Sequence, residues 1–135
     1  MLKGVGMKRK KRVLIVEDEE SLLKLETILL TVKGFEVIGA FTGKMAIDMI
    51  GVEEFDLVLL DIMLPDVDGF EVCRQIRKDP RTATVPIIML TGKKGQDDQD
   101  RGVLCGANSY IVKPFKSAMI IAEINRLLTL SAAGA

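Results

Sequence analysis

Five short apolar runs, each followed by a segment of helical spacing, set the hydrophobic pattern of this chain. Val13-Leu14-Ile15-Val16 is aliphatic at every position, which predicts a strand covered on both faces. Residues 35–41, 55–60, 87–90 and 109–112 are the other four predicted strands. The spacing between them predicts helices. The first starts near Glu19, turns positions 22, 25, 28, 29 and 32 inward and is closed by Gly34. The second is capped by Thr42 and buries Ala46, Ile47 and Ile50. The third follows Asp68-Gly69, runs through Phe70, Cys73 and Ile76, and stops at Asp79-Pro80, because a residue before proline is pushed out of the helical region. The fourth, residues 96–104, is polar with few apolar anchors and ends at Gly106. The last spans residues 117–130 with Ile120, Ile121, Ile124, Leu127 and Leu128 inward, leaving 131–135 as a frayed end. Strict alternation of this kind predicts an α/β fold, a doubly wound five-stranded parallel sheet with five helices on both faces.

The residues just after these strands are chemically matched. The first strand ends on Glu17 and Asp18, the third on Asp61, the fourth on Thr91 and the fifth on Lys113. In a doubly wound sheet such positions share one edge, around the crevice where strand order reverses. Three crowded carboxylates repel unless a positive charge intervenes, and a hard divalent cation such as Mg²⁺ meets that need. Lys113 adds a second positive charge suited to a phosphate oxygen, and Thr91 a hydroxyl donor. Together they form a phosphoryl-transfer site with Asp61 as nucleophile. Each residue alone has a plainer reading, as a helix cap, a turn former, a solvated strand end or, for Tyr110, a rim aromatic. Their joint arrival at one edge favours the chemistry.

Composition narrows the function classes. The 135 residues suit one domain, 48% apolar and 28% charged. Histidine is absent, which excludes Ser-His and Cys-His catalysis, histidine-ligated metals and a phosphohistidine on this chain. Cys73 and Cys105 have no metal-ligand spacing and read as core fillers in a reducing compartment. No apolar run approaches the ~18–20 residues of a membrane span, and no signal peptide is evident, so the expected location is cytoplasmic. The zero net charge conceals an asymmetry. The first 12 residues carry six bases and no acid, and the other 123 hold 13 bases against 19 acids, a formal −6. Residues 1–11 therefore read as a basic, flexible arm, while an acidic body with few aromatics argues against direct nucleic-acid binding.

The chain resembles the receiver domain of bacterial two-component response regulators, in the manner of the chemotaxis regulators. The resemblance covers residues 12–130 and is carried by Val-Leu-Ile-Val-Glu-Asp-Glu at 13–19, Leu-Leu-Asp-Ile-Met-Leu-Pro-Asp-Val-Asp-Gly-Phe-Glu at 59–71, Ile-Ile-Met-Leu-Thr at 87–91 and Gly-Ala-Asn-Ser-Tyr-Ile-Val-Lys-Pro-Phe at 106–115. It implies strand order 2-1-3-4-5, the flavodoxin-like arrangement. It implies a signalling switch, not an enzyme beyond its own phosphorylation and slow dephosphorylation. Asp61 would take a phosphoryl group from a sensor histidine kinase, a His-containing phosphotransfer protein or a small phosphodonor. Asp18, Asp61 and the backbone carbonyl of Met63 would hold Mg²⁺, which Mn²⁺ can replace, with Glu17 acting through water. Glu17 stands where many members have Asp. Lys113 would bind the phosphoryl group, on a cis bond to Pro114. Thr91 and Tyr110 would form the switch pair that remodels the face of the fourth helix, fifth strand and fifth helix. Asn108-Ser109 and Glu123 depart from the charged pattern of members joined to winged-helix domains, which puts that dimer contact in doubt. The output would be a downstream protein or an effector domain outside this chain.

Other classes fit less well. An aspartyl phosphatase wants a second Asp two residues after the nucleophile, where this chain has Met63. A nucleotide module needs an anion-binding loop after the first strand, where Glu17-Asp18-Glu19-Glu20 would repel phosphate. An adaptor that has lost the chemistry would not need so complete a pocket. Met63 and Lys93, two residues after Asp61 and Thr91, occupy places that influence loss of the phosphoryl group. Methionine cannot orient an attacking water, which predicts a long-lived phosphorylated state. Met63→Asn is expected to hasten phosphate loss, followed as decay of labelled protein; an unchanged rate would refute the idea.

Overall fold

The computed structural model describes residues 9–134, so most of the predicted basic arm lies outside the described residues. Among the described residues ten elements alternate, strand then helix. They are β1 (Arg12–Val16), α1 (Glu20–Val32), β2 (Glu36–Ala40), α2 (Gly43–Val52), β3 (Leu57–Leu60), α3 (Gly69–Lys78), β4 (Ile87–Thr91), α4 (Gln96–Cys105), β5 (Ser109–Val112) and α5 (Ser117–Gly134). The sheet runs β2-β1-β3-β4-β5 with every neighbouring pair parallel.

Successive strand residues point to opposite faces, and here both faces are covered. Leu14, Val16, Val58, Leu60, Ile87 and Met89 pack with Ala46 and Ile50 of α2, Phe70, Val72, Cys73 and Ile76 of α3, and Cys105 of α4. Val13, Ile15, Leu57, Leu59, Ile88, Leu90 and Ile111 meet Leu23 and Leu30 of α1 and Ile120, Ile124 and Leu127 of α5. That double cover is why β3, and the runs Val13–Val16 of β1 and Ile87–Leu90 of β4, are apolar at every position rather than at alternate ones.

Local signals place the helix ends. Thr42 Oγ1 accepts from the Met45 N–H at 3.1 Å, and Asp68 Oδ1 accepts from the Glu71 N–H at 2.9 Å; each satisfies an otherwise unpaired first-turn donor. Gly106, at φ 100°, ends α4 as its glycine predicts, and the Ala107 N–H returns to the Gly102 carbonyl at 2.9 Å. α5 continues four residues past the predicted Leu130 because Ser131-Ala132-Ala133 contains no helix breaker.

The inward face of α1 differs from the predicted one. Its buried residues are Leu23, Glu26 and Leu30, while Leu25, Ile28 and Val32 are 62%, 61% and 77% exposed. Both stripes have helical spacing. The buried one carries a glutamate at its centre, so hydrophobicity alone favours the wrong stripe. Leu23 decides the phase by packing against Gly39 of β2, where an added Cβ would lie 3.1 Å from a Leu23 methyl. Glu26 is 3% exposed and neither carboxyl oxygen has a hydrogen-bond partner. Burial first, then the nearby charge of Glu17, pushes its carboxyl up from 4.5 to about 8.

This sets the sign of a pH effect. Below pH 4.5 the folded and unfolded chains both hold the proton. Between 4.5 and about 8 only the folded chain does, so the fold loses stability as pH rises through that window. Glu26→Leu is expected to stabilise by about 2–4 kcal/mol at pH 8 and by distinctly less at pH 4.5. Urea melts at the two pH values check it, and an equal gain at both would contradict the assignment.

Candidate functional site

The last rungs of the parallel ladder position the site. The Glu17 N–H bonds the Ala40 carbonyl at 3.0 Å, the Asp61 N–H the Val16 carbonyl at 3.1 Å and the Lys113 N–H the Thr91 carbonyl at 2.8 Å. Each residue sits one step past its own strand, so its backbone is held by the sheet while its side chain leaves the core. The side chains converge at the C-terminal edge. Lys113 Nζ lies 2.8 Å from Glu17 Oε1 and 3.0 Å from Asp61 Oδ2. Glu17 and Asp61 are 2% and 6% exposed. Asp61 Oδ1 accepts from the Met63 N–H at 3.0 Å, and Glu17 Oε2 from the Glu19 N–H at 3.2 Å. The Lys113–Pro114 bond is cis.

Charge in this cluster is unbalanced. Carboxylate oxygens of Glu17, Asp18 and Asp61 lie within 4.8 Å of one another, and Lys113 supplies one positive charge against three acids. Burial opposes the Lys113 charge, but hydrogen bonds to Glu17 and then Asp61 more than compensate and hold its ammonium above the usual lysine value. Burial pushes the Glu17 carboxyl up, and Lys113 only partly reverses that. A donor set made wholly of oxygens and short of positive charge fits a hard divalent cation. Asp18, which is exposed, supplies the solvent-facing carboxylate.

The loop from β3 to α3 is pinned twice. Asp66 accepts from the Gly43 and Lys44 N–H groups at 2.9 Å each, serving as an anion for the N-terminus of α2. Those two backbone bonds hold the Asp66 carboxyl below its usual range. Gly69 lies against the other end of the loop, where a Cβ would stand 2.4 Å from the Asp61 carbonyl oxygen. Only glycine allows that approach. Neither contact is readable from local spacing, since Asp66 and Gly43 are 23 residues apart.

The remaining predicted residues lie on the β4 and β5 side. Thr91 is fully buried, and its Oγ1 accepts from the Lys93 N–H at 3.4 Å. The Tyr110 hydroxyl donates to the Lys93 carbonyl at 2.6 Å, so both members of the predicted switch pair touch one residue. The Tyr110 ring packs on Gly102 of α4, where a Cβ would meet it at 3.1 Å. The positions that depart from the charged pattern are satisfied within the chain. Asn108 Oδ1 accepts from the Ile87 N–H and from Arg77, and Glu123 is bonded to Ser109 and, at 2.9 Å, to Arg126. Arg126 first, then Ser109, draws the Glu123 carboxyl down to about 2. Sequence reading missed Arg101, whose guanidinium carbon stands 4.0 Å from the Phe70 ring centroid beside the site.

Comparison with known proteins gives the family and the fold. The model of the response regulator receiver domain family matches residues 13–125. A CheY-like response regulator receiver domain protein from Methanospirillum hungatei JF-1 is 30% identical with a TM-score of 0.90, over 94% of this chain and 100% of that one. The receiver domain of a sensor histidine kinase from Pseudomonas aeruginosa PAO1, with magnesium coordinated in its active site cleft, is 30% identical with a TM-score of 0.84, over 90% of this chain and 99% of that one. The BeF3-activated DrrB receiver domain is 30% identical with a TM-score of 0.80, over 90% and 99%.

The tight seat of Gly69 yields a test of how the site is built. Gly69→Ala must displace the backbone of Asp61 and Ile62 and is expected to cost about 2–3 kcal/mol. Thermal or urea unfolding would measure it, and a loss below about 0.5 kcal/mol would show the loop to be free to move.

Proposed function

This chain belongs to the response regulator receiver domains, the phosphorylation-activated switches of two-component signalling, and we propose that Asp61 is its phosphoacceptor. The observation that carries the proposal is Lys113 Nζ bridging Asp61 and Glu17 inside a three-carboxylate cluster. An oxygen of Asp61 attacks phosphorus, and the bond from phosphorus to the donor's nitrogen or oxygen breaks, its electron pair leaving with the donor. The donor is a histidine kinase, a His-containing phosphotransfer protein or a small phosphodonor. Lys113, already seated at Asp61, neutralises the incoming phosphoryl oxygens.

Magnesium is the divalent cation assigned to the acids, and Mn²⁺ is its substitute. Asp18, Asp61 and the Met63 carbonyl would hold it, Glu17 would act through water, and when bound it would supply charge neutralisation for the transferred group. Met63 and Lys93, at the mouth, tune loss of the phosphoryl group. Chemistry beyond self-phosphorylation and slow dephosphorylation is not assigned to the site.

Thr91 and Tyr110 transmit the change. Thr91 turns its hydroxyl to the phosphoryl group, and Tyr110 leaves the Lys93 carbonyl and moves inward, which reshapes the face of α4, β5 and α5. The shared contact with Lys93 supports this coupling. That face is assigned to the downstream partner, either a separate protein or an effector domain. A cytoplasmic site of action accords with two free cysteines, and among the described residues no helix is long and apolar enough to cross a membrane.

Incubation with a labelled small phosphodonor is expected to give an acid-stable, base-labile acyl phosphate that requires Mg²⁺ and is absent from Asp61→Asn. Labelling that survives that substitution would overturn the assignment of Asp61.

A further inference from the structure

A cavity of about 450 Å³ adjoins the phosphoacceptor, lined by Asp18, Met63, Phe70, Lys93 and Arg101 among others. Asp18 and Met63 tie it directly to the site, since the first shares the carboxylate cluster with Asp61 and the second donates its N–H to Asp61. Its lining carries two cations, Lys93 and Arg101, and two acids, Asp18 and Asp68.

Arg101 differs from the other arginines of the folded body. Arg12, Arg74, Arg81 and Arg126 are each paired with a carboxylate, and Arg77 bonds backbone carbonyls. Among the described residues Arg101 makes no ion pair. Its guanidinium instead rests over the buried ring of Phe70, 4.0 Å from the centroid. Stacking holds the guanidinium plane in place while its N–H edges stay available, and those edges match a carboxylate in a two-point fork.

The reaction creates such a carboxylate when the donor is an acyl phosphate. As the Asp61 oxygen bonds to phosphorus, the bond from phosphorus to the acyl oxygen breaks. The acyl group departs as a carboxylate that keeps the electron pair, and no oxidation or reduction occurs. Lys113 is engaged at the Asp61 end, so the growing charge on the leaving group needs a second cation outside it. We propose that Arg101, supported by Phe70, is a specificity residue of the phosphodonor cleft that binds the leaving carboxylate of acyl phosphates. The proposal rests on Asp61 being the phosphoacceptor.

The test compares two donors of the same phosphoryl group, acetyl phosphate and phosphoramidate, whose leaving groups are a carboxylate and a neutral amine. Labelling rates are measured at fixed Mg²⁺ for the unaltered chain, Arg101→Ala and Arg101→Lys. With acetyl phosphate, Arg101→Ala is expected to be slower by about 10-fold, the size of a lost charge-assisted hydrogen bond, and Arg101→Lys to fall between. With phosphoramidate all three should agree within about two-fold, and phosphate loss should be unchanged, as expected for a group acting only on the leaving group. An equal slowing with both donors would reduce Arg101 to a cover for Phe70 and overturn the proposal, as would an unchanged acetyl phosphate rate. If the unaltered chain takes label from neither donor, the assignment of Asp61 fails and this proposal with it.

Discussion

Everything at the C-terminal edge of the sheet depends on one lysine meeting two buried carboxylates that arrive from different strands. Glu17 is 96 residues from Lys113 and Asp61 is 52, yet their side-chain atoms meet within 3.0 Å. A contact between chain segments so distant would be entropically costly if side chains alone had to organise it. The sheet removes most of that cost. Each of the three residues is fastened by a final backbone bond to a neighbouring strand, so the register of a wholly parallel ladder already brings the side chains together. The charges then decide what the pocket accepts. One ammonium among three carboxylates leaves a deficit of positive charge in a half-buried place, a deficit that a hard divalent cation would meet.

The fold was legible because its signals are local. Runs such as Val13-Leu14-Ile15-Val16 are apolar throughout because both faces of the sheet are covered, and Thr42, Asp68 and Gly106 mark helix ends by their own chemistry. The site residues were legible for a related reason, since each immediately follows such a run. What escaped depends on packing phase or on long-range backbone contact. The apolar stripe of Leu25, Ile28 and Val32 looked like the core face of α1, but the fit of Leu23 against Gly39 turned Glu26 inward instead. No spacing rule could link Asp66 to the N-terminus of α2, or show that Gly69 must lie against Asp61. Arg101 escaped because a surface arginine on a polar helix carries no pattern at all.

Glu26 and the proposed phosphoacceptor pocket share one electrostatic environment. Glu17, Lys113 and Asp61 all act on the Glu26 carboxyl, after the dominant effect of burial. A fourth negative charge near the pocket would compete for the single ammonium of Lys113. Keeping Glu26 protonated at neutral pH spares the pocket that competition. The orphaned carboxyl destabilises the fold, but its neutral form leaves Lys113 committed to Glu17 and Asp61.

The two sides of the pocket are anchored unequally, and this gives the proposed switch its direction. On the β3 side, Asp66 ties the loop to α2 while Gly69 presses it against the backbone of Asp61. α3 then buries Phe70, Val72, Cys73 and Ile76. On the other side α4 buries only Gly102 and Cys105, and leaves Val103 and Leu104 71% and 85% exposed. A helix held by so few apolar contacts moves at little energetic cost. A new charge at Asp61 would meet a rigid wall towards α3 and a compliant one towards α4. Tyr110 lies on that compliant side, with its ring on Gly102 and its hydroxyl on the Lys93 carbonyl. Displacement of Thr91 would therefore reach α4 through Lys93 and Tyr110 before it reached any other helix, because that path contains the weakest anchoring around the pocket.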